Sequence, residues 1–337
     1  MRSSRVERAR IVAGILAIGV VLAAGLALAG GNWPAVEMYS HFVPALLVAA
    51  LGLGTLTAIL HLRAATMAML AVTVVLTLRA GPYLLPPTDL ASPPADASAP
   101  MRVTWANVQN WSTGGESVTR VLELRPDIAI FTELSGNQVR AIEMAKTDYP
   151  FRTPFPRSSA FDVMLLSRWT PRSWSVEFPH GYGYAFVTAR FCDGPARPDD
   201  RCTTIVARHA VRPRLPLGFV GQPPVHRDQL LQEGARRAAI HVANGDRVVL
   251  VGDLNVTPWS ASFRDVLATS GLGDSATMPA EKPRVPLPTW FSIVPGIGLP
   301  IDHALVGPGL RIVERRLGPN IGSDHRPLIL DLRAVPR

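Results

Sequence analysis

Eight polar side chains stand at the ends of apolar runs scattered through this chain. Asn107 closes RVTWAN, Glu133 follows DIAIFT, and His209 ends TIVARH; Asp253 and Asn255 lie in RVVLVGDLN, Asp302 opens DHALV, and Asp324 and His325 precede RPLILDL. Carboxylates and an amide oxygen are the donors that a hard divalent cation takes. Histidines beside them can move protons or stabilise anionic charge. Phosphate esters resist attack because their anionic oxygens repel nucleophiles, and a carboxylate-held cation offsets that repulsion. The set points to metal-assisted hydrolysis of a phosphate ester.

Residue types assign some of the roles. Glu133 is the first candidate metal ligand, because a lone carboxylate directly after IAIFT is poorly explained by solvation. Asn107 can add an amide oxygen, and Asp324 is placed to serve as a further ligand. Mg²⁺ or Mn²⁺ suits such an oxygen-rich set, whereas no cluster of Cys and His is present for structural zinc. Asp253 and Asn255, two residues apart, project to one side if strand geometry continues through them. In the alternative, Asp253 only caps a turn. His303, His41, His61, His180, His226 and His241 read as structural or exposed. Arg212, Arg214, Arg236 and Arg237 read as basic residues outside the site.

In this order, Asn, Glu, His, Asp-x-Asn, Asp-His and Ser-Asp-His, residues 101–333 resemble the endonuclease/exonuclease/phosphatase superfamily. DNase I, apurinic endonucleases, bacterial sphingomyelinases and inositol-polyphosphate 5-phosphatases share that fold. The resemblance implies an α/β class and a four-layer DNase I-like sandwich, two stacked β-sheets flanked by helices. It implies that Asp253 orients or deprotonates the attacking water and that Asn255 hydrogen-bonds a phosphate oxygen. His325 and Asp302 would form a His–Asp pair, and His209, in an H-x-x-x-P context, would be a second catalytic histidine. Where the apurinic endonucleases carry a second carboxylate, this chain has Gln109, which leaves a two-metal site in doubt.

The elements that must position these residues are legible as alternating strands and helices. Strands are expected at Val103–Asn107, Ile128–Thr132, Phe161–Ser167, Tyr184–Phe191, Thr203–Arg208, Arg247–Gly252, Ile301–Val306 and Leu328–Leu332. Helices are expected around Ser117–Leu124 and Gln229–Val242, the latter stopping at Asn244-Gly245.

Ahead of them the chain is apolar. It has 337 residues, 47% hydrophobic, with a net charge of +8. Residues 11–30 carry no charge and as a helix would span about 30 Å, the thickness of a bilayer's hydrocarbon core. Further apolar runs cover 42–60 and 64–79. Residues 1–79 therefore read as a membrane anchor of three transmembrane helices, 80–100 as a Pro/Ala-rich linker, and 101–337 as the catalytic domain. A cleaved signal peptide is the competing reading of the first run, though two more runs would still anchor the chain. Arg2, Arg5, Arg8 and Arg10 place the amino terminus in the cytoplasm, and three spans then put the domain outside. Cys192 and Cys202 flank one Pro/Gly/Asp loop, as suits a disulfide in an oxidising compartment; two unpaired thiols are the alternative.

The architecture resembles the VanJ-type membrane-anchored teicoplanin-resistance proteins. The expectation is a multi-pass membrane protein whose extracytoplasmic domain hydrolyses phosphate ester or pyrophosphate bonds, with a lipid-linked phosphate as substrate. A membrane-tethered nuclease is the alternative, since basic excess suits nucleic acid as well. A noncatalytic binding module on the same fold is the second. Oligomeric state is not legible.

Overall fold

In the computed structural model the structure describes residues 2–30, 36–88, 99–109, 114–155, 162–179, 184–192, 201–212, 224–283, 288–293 and 296–335. They form two compact units. The first comprises Met1–Leu85 together with Pro213–Val225 and Val256–Arg264; the second holds the rest.

The first unit is built on helices α1 (Arg2–Ala29), α2 (Val43–Ile59) and α3 (Arg63–Leu84), with a 3-10 turn at Glu37–Phe42 before α2. Three stretches, Ser4–Ala29, Glu37–Ile59 and Arg63–Leu84, are long and apolar enough to cross a membrane. Small residues make their mutual contacts: Ala13, Ala17, Ala24, Ala27 and Ala50 are buried, while Ile11, Ile15, Leu16, Ile18 and Leu22 stay exposed. That inversion of the soluble pattern suits helices that pack backbone to backbone and face lipid. Helix α3 runs five residues into the stretch read as linker, with Pro82 inside it. A proline there has no N–H to donate to the carbonyl of Leu78, four residues earlier. Residues 89–98 of that stretch lie outside the described residues.

This unit also holds residues far along the chain. Trp259 beds among Ala24, Ala27, Val43, Leu47, Leu76 and Ala80, and its ring meets Tyr83 edge-on at 6.1 Å. Ser262 N–H donates to the buried Glu37 Oε1 at 2.7 Å.

The second unit stacks two six-stranded sheets. One contains β1 (Met101–Asn107), β2 (Ile128–Thr132), β3 (Phe151–Arg152), β4 (Val163–Ser167), β13 (Leu310–Leu317) and β14 (Leu328–Ala334), in the order β13-β14-β1-β2-β4-β3. The other contains β5 (Ser173–Glu177), β6 (Phe186–Cys192), β7 (Cys202–His209), β8 (Arg247–Asp253), β9 (Gly273–Asp274) and β12 (Asp302–Val306), in the order β5-β6-β7-β8-β12-β9. A short pair, β10 (Trp290–Phe291) and β11 (Gly298–Leu299), stands apart. Alternate residues of both sheets meet in one core, with Trp105, Ile130 and Leu330 from the first and Ile205, Val249 and Ala304 from the second. The outer face of the first sheet is covered by α4 (Glu116–Leu122) and α5 (Gly136–Met144) through Val118, Val121, Val139 and Ile142. On the second, α6 (Pro224–Ala243) packs Leu230 against Tyr184, Phe186 and Val211. Helix α7 (Ala261–Ser270) follows β8 in the chain. Each fully buried aliphatic side chain contributes roughly 1.5–3 kcal/mol, so a core this size tolerates isosteric changes at its polar margin.

The expected strands and both expected helices are present with ends shifted by a few residues; Phe161 lies outside the described residues. Helices α5 and α7 and strands β3, β5, β9, β10, β11 and β13 were not among the expected elements. Cys192 and Cys202 are register partners at the ends of β6 and β7 and are joined by a disulfide.

Strands β7 and β8 run parallel, with Arg208 paired to Gly252 and His209 to Asp253. A Cβ on Gly252 would lie 1.9 Å from the Arg208 carbonyl oxygen, so only glycine allows this approach. Gly252→Ala is expected to destabilise the protein by about 3 kcal/mol or more, read as a lowered melting temperature in detergent. A melt indistinguishable from the parent would mean that the two strands are not held at this spacing.

Candidate active site

Register carries the polar residues to one end of the sandwich. Strands β1 and β2 are parallel, with Asn107 opposite Thr132, so Asn107 and Glu133 emerge together from the first sheet. In the second, His209 and Asp253 are partners across β7 and β8, and Asp302 is the antiparallel partner of Asp253. His325 arrives on the loop before β14. All six are buried.

Asn107 Nδ2 donates to Glu133 Oε1 at 2.9 Å and reaches Asp253 Oδ2 at 3.3 Å and His325 Nε2 at 3.5 Å. Its Oδ1 accepts the Gln109 N–H. His209 Nε2 lies 3.4 Å from Asp253 Oδ2 and 3.8 Å from Glu133 Oε1. Thr132 Oγ1 donates to the Asp162 carbonyl, and so its lone pairs can only receive from His209 Nδ1, 3.0 Å away. That contact puts the proton on Nδ1 and turns Nε2 to the carboxylates.

Asp302 is held at both oxygens. Trp105 Nε1–H donates to Oδ1 and His325 Nδ1–H to Oδ2, each at 2.8 Å. Burial opposes a charge on His325, but Asp302, with Asp253 and Asp324 behind it, outweighs burial and raises the imidazole to about 9. Burial likewise pushes Asp253 up, yet His209 above all, with His325 and the Asn255 N–H, holds it well below the usual carboxylate range, at about 2.

The backbone is strained here. Glu133 and Asn255 have φ of 54° and 51°, a left-handed conformation that costs about 1–3 kcal/mol and is more foreign to glutamate than to asparagine. Strand geometry therefore does not continue through Asp253-Leu254-Asn255, contrary to the expectation from spacing. Asp253 Oδ1 caps the turn by accepting Asn255 N–H at 3.0 Å, while Oδ2 faces the histidines. Asn255 still meets the site from its turned position, with Nδ2 3.4 Å from His209 Nε2 and donating to the Ala210 carbonyl at 2.8 Å.

Asp324 stands further out, 29% exposed, with Oδ2 accepting Trp290 Nε1–H at 2.9 Å and Oδ1 4.0 Å from His325 Nε2. Gln109 Oε1 accepts its N–H at 3.4 Å. Arg212, read from sequence as outside the site, reaches Glu133 Oε1 at 3.5 Å. Its sequence signal is its place three residues after His209. Arg236 and Arg237 do lie elsewhere, paired with Glu233 on α6; Arg214 is outside the described residues. His241 pairs with Asp246, and His303, buried, follows Asp302 on β12 opposite Gly252.

Donor atoms of Asp253, Asp302 and His325 lie within 4.8 Å of one another, close enough to hold a metal ion. Asp302 and His325 are, however, committed to each other by their 2.8 Å hydrogen bond. Glu133 Oε1 accepts from Asn107 at 2.9 Å, and the oxygen-rich surroundings fit a hard divalent cation.

A family model described as "Endonuclease/Exonuclease/phosphatase family" matches residues 104–325. No curated protein matches the chain. Among solved structures, the endonuclease/exonuclease/phosphatase from Bacteroides vulgatus is 15% identical with a TM-score of 0.53, over 70% of this chain and 100% of that one. A family protein from Bacteroides thetaiotaomicron is 14% identical with a TM-score of 0.51, over 71% of this chain and 100% of that one. Those likenesses are of fold, two stacked sheets with flanking helices. With the matched stretch running from β1 to His325, the chain belongs to the endonuclease/exonuclease/phosphatase family, the divalent-metal-dependent hydrolases of phosphate esters.

Proposed function

We propose that the chain is a membrane-anchored, extracytoplasmic phosphohydrolase that cleaves phosphate ester or pyrophosphate bonds of a lipid-linked phosphate in the cell envelope. The observation that carries this reading is the presence, in one chain, of a phosphoester site and three helices apolar enough to cross a membrane. An anchor keeps an enzyme within reach of membrane-embedded phosphates and handicaps one that digests free nucleic acid. The Cys192–Cys202 disulfide supports an oxidising compartment, and Arg2, Arg5, Arg8 and Arg10 support a cytoplasmic amino terminus.

Glu133, with Asn107 and Asp324 flanking, would hold Mg²⁺ or Mn²⁺. The bound ion supplies neutralisation of phosphoryl charge and a more acidic water. Asp253, ionised throughout the physiological range, is too weak a base to keep a proton, so its role is to orient the attacking water. His325 is cationic at neutral pH because Asp302 holds it so, and it steadies a phosphate oxygen rather than acting as base. His209, with Nδ1–H donated to Thr132, stabilises the charge that grows in the transition state as an imidazolium, when Nε2 is protonated too and donates. Asn255 keeps a second amide N–H for a phosphate oxygen.

The full-length protein in detergent, with Mg²⁺ or Mn²⁺, is expected to release phosphate from prenyl pyrophosphate and to leave supercoiled plasmid intact. Nicked plasmid without phosphate release would replace this reading with a membrane-tethered nuclease. Glu133→Gln and Asp253→Asn are each expected to lower turnover by at least about a hundredfold with unchanged melting; near-normal rates in both would remove the site assignment.

The folded pKa of His325 is raised, so the stabilisation from its pair with Asp302 is complete below its unfolded value of about 6.5 and is lost as pH rises through about 9. Activity that needs the imidazolium follows the same limb. Asp302→Asn is expected to move the alkaline limb of the pH–rate profile to lower pH, and an unmoved limb would show that His325 is not the group titrating.

A further inference from the structure

The segment beyond β7 is pinned residue by residue. Ala210 donates its N–H to the Asp253 carbonyl at 2.7 Å and accepts from Asn255 Nδ2 at 2.8 Å. Val211 is buried with Tyr184, Phe186 and Leu230. Arg212 precedes a proline in the sequence, which disfavours helical backbone at Arg212 itself. The root of the Arg212 side chain is therefore fixed, while its guanidinium end is half exposed, at 51%, with Nη2 3.5 Å from Glu133 Oε1. No other Lys or Arg among the described residues is shown within 4 Å of the carboxylates of Glu133, Asp253, Asp302 or Asp324.

At 3.5 Å, with its guanidinium half exposed, Arg212 is loosely held to the buried Glu133, and a better partner displaces it. The planar guanidinium matches two oxygens of a phosphate. A phosphate entering a site lined by four carboxylates meets repulsion, and Arg212 joins His325 in offsetting it. We propose that Arg212 is a phosphate receptor of this site: its guanidinium exchanges Glu133 Oε1, which also accepts from Asn107, for non-bridging oxygens of the substrate, removing a cation that competes there with a divalent ion. Asn255 and His325 draw on the same oxygens. A diester has only two non-bridging oxygens to share among these groups, whereas a terminal phosphoryl group has three, so the contact favours a monoester or pyrophosphate end. The inference rests on the phosphohydrolase reading above and narrows its substrate.

Binding to the full-length chain in detergent tests it without turnover. With Mn²⁺ present, calorimetry compares inorganic phosphate and dimethyl phosphate on the parent, Arg212→Ala and Arg212→Lys. Losing a charged hydrogen bond is expected to weaken inorganic phosphate roughly ten- to a hundredfold in Arg212→Ala. Lysine, a point charge without the fork, should restore part of that. Dimethyl phosphate should lose less. Mn²⁺ titrated alone should bind Arg212→Ala at least as tightly as the parent, because a competing cation has been removed. Unchanged phosphate affinity would overturn the proposal. So would weakened Mn²⁺ binding, which would make Arg212 a structural support of Glu133. An equal loss for both phosphates would overturn the preference for a terminal group. If prenyl pyrophosphate is not cleaved but phosphate binding still depends on Arg212, the lipid reading falls and the receptor stands.

Discussion

One buried carboxylate ties the two sheets of the catalytic unit together. Asp302 starts β12 in the second sheet, yet its Oδ1 takes the indole N–H of Trp105 from β1 in the first and its Oδ2 takes His325 from the loop before β14. Its backbone N–H also donates to Thr289 Oγ1. A carboxylate only 1% exposed survives in such a place only when its oxygens meet donors. Those donors come from both sheets, so the stacking that forms the core and the geometry that fixes the His325 tautomer are one constraint. Slip either sheet by a residue and the core alternation and the imidazole's partner are lost together.

The same register explains why strained residues gather at one end. Parallel pairs β1–β2 and β7–β8 deliver their carboxy-terminal residues side by side, but a strand can only send side chains up or down. To aim Glu133 and Asn255 into the space between the sheets, the chain leaves strand geometry at both positions and adopts positive φ. What holds them there is local. Ser135 and Gln138 cap the start of α5 reciprocally, two residues after Glu133, and Asp253 caps the turn at Asn255. One carboxylate thus caps the turn with Oδ1 and faces the histidines with Oδ2.

Strong apolar runs made the site strands legible, since each ends in a polar residue that a core would reject. Other features left weaker marks. The capping residues of α5, Ser135 and Gln138, lay in plain view, but the helix spans only Gly136–Met144 and its apolar stripe is short. Strand β13, LRIVERRL, loses its alternation to an irregularity between Ile312 and Glu314. Trp105 looked like any core aromatic, because nothing in sequence says where its N–H points. Thr132, hidden inside an apolar run, orients His209 only once the sheets are stacked. Arg212 was read with other basic residues as outside the site, because sequence does not show where a single guanidinium reaches. Asn255 meets the site from a turn, because the strand on which its spacing with Asp253 was conditional ends at Asp253.

Trp259 and Ser262 have a consequence of a different kind. Their partners, Ala24, Leu47, Leu76 and Glu37, come from the amino-terminal helices, so the chain is interleaved, and its units are not beads on a string. A cut at the Pro-rich stretch would not separate two self-contained modules. It would strip an indole of its apolar bed and a backbone N–H of its acceptor, only a few positions after Asp253 and Asn255. These helices cannot be exchanged freely for others: they and the loop that follows Asp253 and Asn255 must change together.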